Sequence, residues 1–205
     1  METKDYLEYL VRDIHTTVVA TVDDKGLPVT SAIDMMDYSD NSILFLTAKG
    51  KDFYKRLKEQ GFLALTGMKG EDTMHSIALS IRGSVREIGS EMLPRLFDKN
   101  PYMYEIYPNI EARKALTVFE IYKGEGEWFD LSKKPIERFS FFFGGEEEKE
   151  SGYFVSSSCS SCELCVSICP RKAIEIRDRA FIHQENCLRC GSCFSICPMS
   201  AIKRS

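Results

Sequence analysis

The residues with the most chemistry in them are eight cysteines, all in the last quarter of a 205-residue chain. Cys159, Cys162, Cys165 and Cys169 form the string C-x-x-C-x-x-C-x-x-x-C-P. Cys187, Cys190, Cys193 and Cys197 repeat it, with Pro170 and Pro198 next in line. Each cysteine of the second string follows its counterpart by 28 residues, as 187 follows 159 and 197 follows 169. Ser167, Ile168, Ala173 and Ile174 are answered at the same offset by Ser195, Ile196, Ala201 and Ile202, so a whole unit is duplicated. A cubane cluster needs one thiolate at each of four iron corners. Three closely spaced thiolates fit one tight loop around three corners, with the loop's N–H groups aimed at sulfur, and this spacing is one that four-iron clusters use.

Two other chemistries fit less well. A disulfide framework needs an oxidising compartment, and the first residues, Met1 to His15, read as a short amphipathic helix rather than an export signal. A zinc ribbon separates two C-x-x-C knuckles by roughly 15–20 residues, whereas here four cysteines crowd together, twice.

The segment from Cys159 to Ser205 resembles a bacterial-type two-cluster ferredoxin over its whole length. The resemblance implies that the last cysteine of each string ligates the other cluster. Cys159, Cys162, Cys165 and Cys197 would hold one [4Fe–4S] cluster, and Cys187, Cys190, Cys193 and Cys169 the second. It also implies one-electron transfer at low potential. Pro170 and Pro198 suit the first position of a short helix. Val166, Ile168, Ile174, Ile176, Phe181, Ile182, Phe194, Ile196 and Ile202 are expected to shield the clusters. A segment this short builds too little core alone, so the clusters must serve as its core.

The elements ahead of the cysteines form a separate body. Residues 1–158 carry no cysteine, and 43% apolar with 28% charged residues is ordinary for a globular protein. A formal charge of −4 leaves no basic footprint for nucleic acid. No run approaches the ~18 apolar residues of a membrane helix, so the expectation is a cytoplasmic protein with no membrane partner, in a reducing and oxygen-poor setting.

His15–Val22 is rich in β-branched residues and predicts a strand. Asp23-Asp24-Lys25-Gly26 supplies a turn, and strands follow at 29–36 and 41–47. A helix is predicted over 51–60, ending at Gly61, then a strand at 62–68. Residues 76–88 alternate cleanly, with Ile77, Leu79, Ile81 and Val85 on one face and Arg82 and Arg86 on the other. Residues 91–115 predict helix in pieces broken by Pro94, Pro101 and Pro108. Strands at 116–122 and 136–143, joined through Trp128, complete the first domain (1–143). The stretch 144–152 has no apolar side chain and predicts a linker, leaving 153–205 as the second domain. The fold class expected is α+β: an antiparallel Greek-key split β-barrel with flanking helices, plus a small ferredoxin domain.

Residues 19–33 (VATVDDKGLPVTSAI) and 45–57 (FLTAKGKDFYKRL) carry a second resemblance, to the pyridoxamine-phosphate-oxidase-like flavin-binding split barrels, over roughly Tyr6 to Gly145. Such proteins are usually homodimers with FMN at the subunit interface. Carried over by position, the family's flavin contacts fall on Ser31, Ala32, Ile33, Thr47, Lys49 and Lys51. A phosphate near the predicted helix start would reverse the macrodipole's penalty on the two lysines; Lys51, Lys55 and Lys58 also share a stripe that solvent alone would satisfy. The enzymes that oxidise pyridoxamine phosphate carry Arg-Lys one turn into this helix; Asp52-Phe53 stands here, which points away from vitamin B6 chemistry.

His15, His75 and His183 are scattered and read as surface or capping residues. Arg82 and Arg86 could line a pocket but read first as a solvated face; Trp128, Phe139, Phe141 and Phe143 could stack on a flavin ring but read first as core; Arg138 is a candidate partner for an anionic group. Together these features point to an FMN-dependent oxidoreductase exchanging electrons with two [4Fe–4S] clusters, with a redox protein or small molecule as partner. The rival readings are a non-enzymatic carrier docking to a redox enzyme and, more remotely, a haem-binding barrel with His15 or His75 as axial ligand. The sequence carries no G-x-G-x-x-G nucleotide fingerprint.

Overall fold

In the computed structural model, which describes residues 1–145 and 151–205, the chain divides into two compact units. Among the described residues the first comprises 1–128 with 140–145, and the second 129–139 with 151–205. Of the expected linker, residues 146–150 lie outside the described residues.

Helix α1 (Thr3–Tyr9) begins at a reciprocal cap between Glu2 and Asp5. It runs into a wider π-turn, Leu10–Ile14, and the two bury Tyr6, Leu7, Leu10 and Val11. His15 ends the turn at φ 64° and ψ −70°. Such a backbone costs a non-glycine residue about 1–3 kcal/mol, and here three bonds hold it: His15 N–H to the Leu10 carbonyl at 2.8 Å, and both ring nitrogens.

The strands follow the β-branched and alternating runs. They are β1 (Thr16–Val22), β2 (Pro28–Asp34), β3 (Asp37–Tyr38) and β4 (Ile43–Ala48). Asp23 makes the β1–β2 turn by accepting from the N–H groups of Lys25 and Leu27, with Gly26 at φ 78°. Helix α2 (Asp52–Gln60) buries Phe53 and Leu57 and stops at Gly61, whose left-handed φ of 61° favours a residue without Cβ. Next come β5 (Phe62–Gly70) and β6 (Ser76–Gly89), the latter burying Leu79, Ile81 and Val85. The proline-broken region gives α3 (Leu93–Lys99), α4 (Met103–Ile106) and α5 (Ile110–Arg113), then β7 (Leu116–Asp130) and β8 (Glu137–Phe143).

Strand order is β2-β1-β5-β6-β7-β4-β3, with β8 on β7. The β1–β2, β1–β5, β5–β6, β3–β4 and β4–β7 pairs are antiparallel. β2 and β4 also lie against each other, so the sheet curls on itself around Phe45, Leu63, Leu79 and Phe119. Asp37, 1% exposed, is gripped by Lys99 at 2.5 Å and Arg95 at 2.6 Å, which ties β3 to α3.

Several local expectations change. Pro94 lies in the first turn of α3, where its missing N–H costs nothing, so it starts a helix instead of breaking one. Trp128 is inside β7, not between strands; it packs on Tyr6 and Tyr9.

The second unit contains β9 (Tyr153–Val155), α6 (Leu164–Ile168), β10 (Ile174–Ile176), β11 (Ala180–Ile182), α7 (Ser192–Ile196) and β12 (Ile202–Arg204). β10 pairs with β11 and β9 with β12, both antiparallel. Pro170 and Pro198 do not open helices. The chain turns at once through Lys172 (φ 52°) and Ser200 (φ 46°), and the short helices precede the prolines. The core mixes Tyr153, Ile174, Ile182 and Ile202 with Cys165, Cys187 and Cys193. Ile168, Phe181, Phe194 and Ile196, expected to shield, are exposed on the surface.

Candidate functional site

Both cysteine strings are wound by left-handed residues at matching places: Ser161 and Arg189, Glu163 and Gly191, Lys172 and Ser200. The winding turns backbone N–H groups onto sulfur. Ser161 donates to Cys159 Sγ at 3.4 Å, and Arg189 to Cys187 Sγ at 3.3 Å. Ala173 donates to Cys169 Sγ and Ala201 to Cys197 Sγ, both at 3.3 Å. No disulfide joins any of the eight cysteines.

The strings interleave. One pocket is lined by Cys159, Cys162, Cys165 and Cys197, with Ile176 and Ile202 as apolar walls. A second is lined by Cys169, Cys187, Cys190 and Cys193, with Ile174 and Ile182. Among the described residues no three His, Cys, Asp or Glu side chains close on a single ion; the cysteines instead ring a space. Burial raises the Cys165 thiol and pushes Cys193 up to about 11. Cys159 is lowered by N–H groups of Ala180 and Ser161, and Cys190 by the Ser192 hydroxyl. The two buried thiols need a cation to ionise beside them, and iron is such a cation.

In the first unit, the six residues expected at a flavin lie on β2, on β4 and at the start of α2. β2 ends the strand order, so its outer edge carries backbone groups without a ladder partner. Ser31 and Ile33 are half-buried on one face of β2, Ala32 exposed on the other, and β4 lies alongside. Thr47 on β4 is 3% exposed, yet its hydroxyl finds no hydrogen-bond partner. Such a group costs about 1–3 kcal/mol unless something satisfies it. Lys49 and Lys51 are exposed at the start of α2, and Lys51 occupies the N-cap position with no side-chain cap. Donor edge, orphan hydroxyl and uncapped cationic helix start fit a group carrying a polar ring and a phosphate.

At the end of β2, Asp34 accepts from Tyr102 at 2.7 Å and from Thr16 at 2.7 Å. Tyr102 also meets His15 Nε2 at 3.0 Å, while His15 Nδ1 faces the Val11 carbonyl at 3.3 Å. This network has no sequence signature, because its members are 87 positions apart at the extreme. Both ring nitrogens of His15 thus lie within hydrogen-bond distance of a neighbour. The remaining secondary candidates are mostly structural: Arg82 pairs with Glu125 and Arg86 with Glu120, Phe141 and Phe143 are core, and Phe139 is exposed. Arg138, in the second unit, donates to the Leu188 carbonyl at 3.0 Å, inside the second cysteine string.

Comparison with known proteins defines the class in two parts. Residues 158–201 match the 4Fe-4S dicluster domain, and residues 3–128 match pyridoxamine 5'-phosphate oxidase. The second match spans more than half of the chain, which therefore belongs to the pyridoxamine 5'-phosphate oxidase family, joined to a ferredoxin domain. Solved structures agree on the barrel fold. A nimC/nimA family protein from Clostridium acetobutylicum superposes with a TM-score of 0.54 at 17% identity, covering 68% of this chain and 93% of its own. A heme binding protein from Mycobacterium smegmatis gives 0.54 at 10% identity, covering 69% and 58%. A pyridoxamine 5'-phosphate oxidase-related, FMN binding protein from Nostoc punctiforme gives 0.50 at 12%, covering 70% and 90%. No curated protein matches. Among the described residues no helix is long and apolar enough to cross a membrane.

Proposed function

We propose that this chain is a cytoplasmic flavin–iron–sulfur oxidoreductase, passing electrons between two [4Fe–4S] clusters in its second unit and an FMN in its first. The observation that carries the reading is the exchange of fourth cysteines: each pocket takes three cysteines from one string and the last from the other. Cys159, Cys162, Cys165 and Cys197 would hold one cluster; Cys169, Cys187, Cys190 and Cys193 the other. The clusters supply one-electron chemistry, and the flavin couples it to two-electron chemistry on a substrate. The chain's own residues hold and tune: four N–H groups on cysteine sulfurs favour the thiolate form, and the apolar walls limit water.

For the flavin, the reading gives the β2 backbone around Ser31, Ala32 and Ile33 to the ring, the Thr47 hydroxyl to a polar atom, and Lys49 and Lys51 to the phosphate. A homodimer is part of the same reading. The outward faces of β1 and β5 leave Val18, Val22, Phe62 and Met68 exposed, with Ala32 directly opposite Val18 on β2. This apolar patch, bordered by Arg82 opposite Ala64, is a surface for a second copy.

Anaerobic purification with metal and cofactor extraction tests the whole. The expected result is about eight irons per chain, from two four-iron clusters, together with a flavin absorption that FMN alone restores after stripping. Full iron with no uptake of offered FMN would leave only the carrier reading.

A further inference from the structure

The two cysteine pockets are copies in backbone and differ in side chains. At the 28-residue offset, the N–H bonds to sulfur from Ser161 and Ala173 are matched by those from Arg189 and Ala201. The left-handed positions match as well. These four backbone bonds therefore act alike on the two sites; the Ala180 N–H on Cys159 is an addition at the first, and the remaining electrostatic differences come from side chains.

Among the repeat-related positions that differ, three at the pocket walls point in one direction. Arg171 lines the pocket of Cys169, Cys187, Cys190 and Cys193, while its counterpart at the other pocket is Met199. Ser192 sets its hydroxyl 3.4 Å from Cys190 Sγ, where the counterpart near Cys162 is Leu164, with no donor. Gly191 answers Glu163, so the first pocket alone has a carboxylate on its wall. Their weights are unequal. Arg171 Nε and Nη2 are buried and have no hydrogen-bond partner among the described residues, so its charge acts through poorly screening surroundings. Glu163 is exposed, as are Arg179 and Asp178 on the solvent side of Cys159; water and salt weaken all three. The buried guanidinium decides the sign.

We propose that Arg171, assisted by Ser192, makes the site of Cys169, Cys187, Cys190 and Cys193 the more oxidising of the two, so that a single electron given to the unit settles there. The inference rests on the two-cluster reading above. The exchange is one electron lost at one site and gained at the other, with no bond made or broken and no proton moved. A nearby positive charge and a hydroxyl-to-thiolate hydrogen bond both favour the reduced, more negative state. Electrons entering at the Met199 site then run downhill to the Arg171 site.

The test is EPR-monitored potentiometry on the iron-loaded full-length protein, comparing wild type, Arg171→Met and Met199→Arg. Each substitution copies the residue the other repeat already uses. Wild type should give two resolved one-electron midpoints. Arg171→Met should lower the upper one, cutting the preference for that site at least about tenfold, or 59 mV for one electron, and leave the lower in place. Met199→Arg should raise the lower one. Eight irons retained with the preference changed less than about twofold, or a shift confined to the wrong midpoint, would overturn the proposal. If Arg171→Met sheds iron, Met199→Arg decides alone: an unmoved lower midpoint rejects the idea. A wild type holding only about four irons would remove the two-cluster reading itself, and this inference with it.

Discussion

Tyr102 donates its hydroxyl proton to Asp34 across 2.7 Å, tying the link between α3 and α4 to the end of β2. Burial raises the phenol above its ordinary value of 10.0, and the Asp34 carboxylate adds to the shift. A raised acid pKa means the folded state keeps a proton that the unfolded chain gives up. The stabilisation is therefore complete below pH 10 and fades as pH rises from there toward the folded value. Tyr102→Phe should cost about 1–2 kcal/mol at neutral pH, as one hydrogen bond to a charged group is lost. The gap should close in alkali. Urea melts of both proteins from neutral pH to strongly alkaline buffer would reveal it; a gap that holds constant would contradict the assignment.

The orphan hydroxyl of Thr47 makes two opposite predictions from one substitution. Without ligand, Thr47→Val removes a buried donor that has no partner, so the apo protein should gain about 1 kcal/mol. With ligand, the same change should weaken FMN binding about tenfold, or 1.4 kcal/mol. Thermal melts of the stripped protein and fluorescence-quenching titrations with FMN read the two effects separately. Weaker binding alone, with no apo gain, would mean that something other than flavin normally satisfies this hydroxyl.

Glu87 on β6 shows the opposite sign of pH dependence. Burial would raise its carboxyl, but hydrogen bonds from Thr117 (2.7 Å), Lys58 (3.0 Å) and Tyr54 (3.2 Å) outweigh burial and hold it below its ordinary 4.5. The associated stability is present above pH 4.5 and disappears as pH falls through the lower folded value. Thr117→Val should cost about 1.5 kcal/mol at pH 7, with wild type and variant converging in acid. Acid titrations followed by circular dichroism would show whether the curves meet.

How much of this was legible beforehand depended on the range of each interaction. The alternation of Ile77, Leu79, Ile81 and Val85 and the β-branched run after His15 are local patterns, and both became strands where expected. The cysteine strings were legible because their spacing recurs at a constant offset, whereas the sharing of fourth cysteines came only from the resemblance to two-cluster ferredoxins. The two-residue β3 was not, because its position depends on Asp37 meeting Arg95 and Lys99 some 60 residues on. Pro170 and Pro198 misled for a related reason: a proline's fixed φ allows a helix to follow, but here the cysteine sulfurs capture the N–H groups of Ala173 and Ala201 first. Arg171 and Ser192 gain meaning only once the two pockets are compared side by side.

The exposed face of β1 and β5 predicts self-association. Val18, 55% exposed, sits opposite Ala32 and Thr66 in the ladder, at the middle of an apolar stretch. Val18→Glu would set a charge where two copies meet and should weaken dimerisation by about a hundredfold or more, as at the centre of a desolvated contact. Light scattering across a dilution series measures this. A wild type that is monomeric at high concentration would exclude a dimer built on this face.

The exchange of fourth cysteines can be read one string at a time. If each cluster were held within its own string, Cys197→Ser would damage the site of Cys187, Cys190 and Cys193. The proposed sharing, in line with the pocket linings, predicts the reverse: Cys197→Ser should disturb the site of Cys159, Cys162 and Cys165, and Cys169→Ser the other. The lost thiolate should leave a three-iron cluster or an empty site, while the second site keeps its four irons. The Arg171 asymmetry labels which site survives, since the more oxidising midpoint should remain in Cys197→Ser and vanish in Cys169→Ser. Iron analysis with EPR on both variants distinguishes the two arrangements, and the uncrossed outcome would require each string to close on itself.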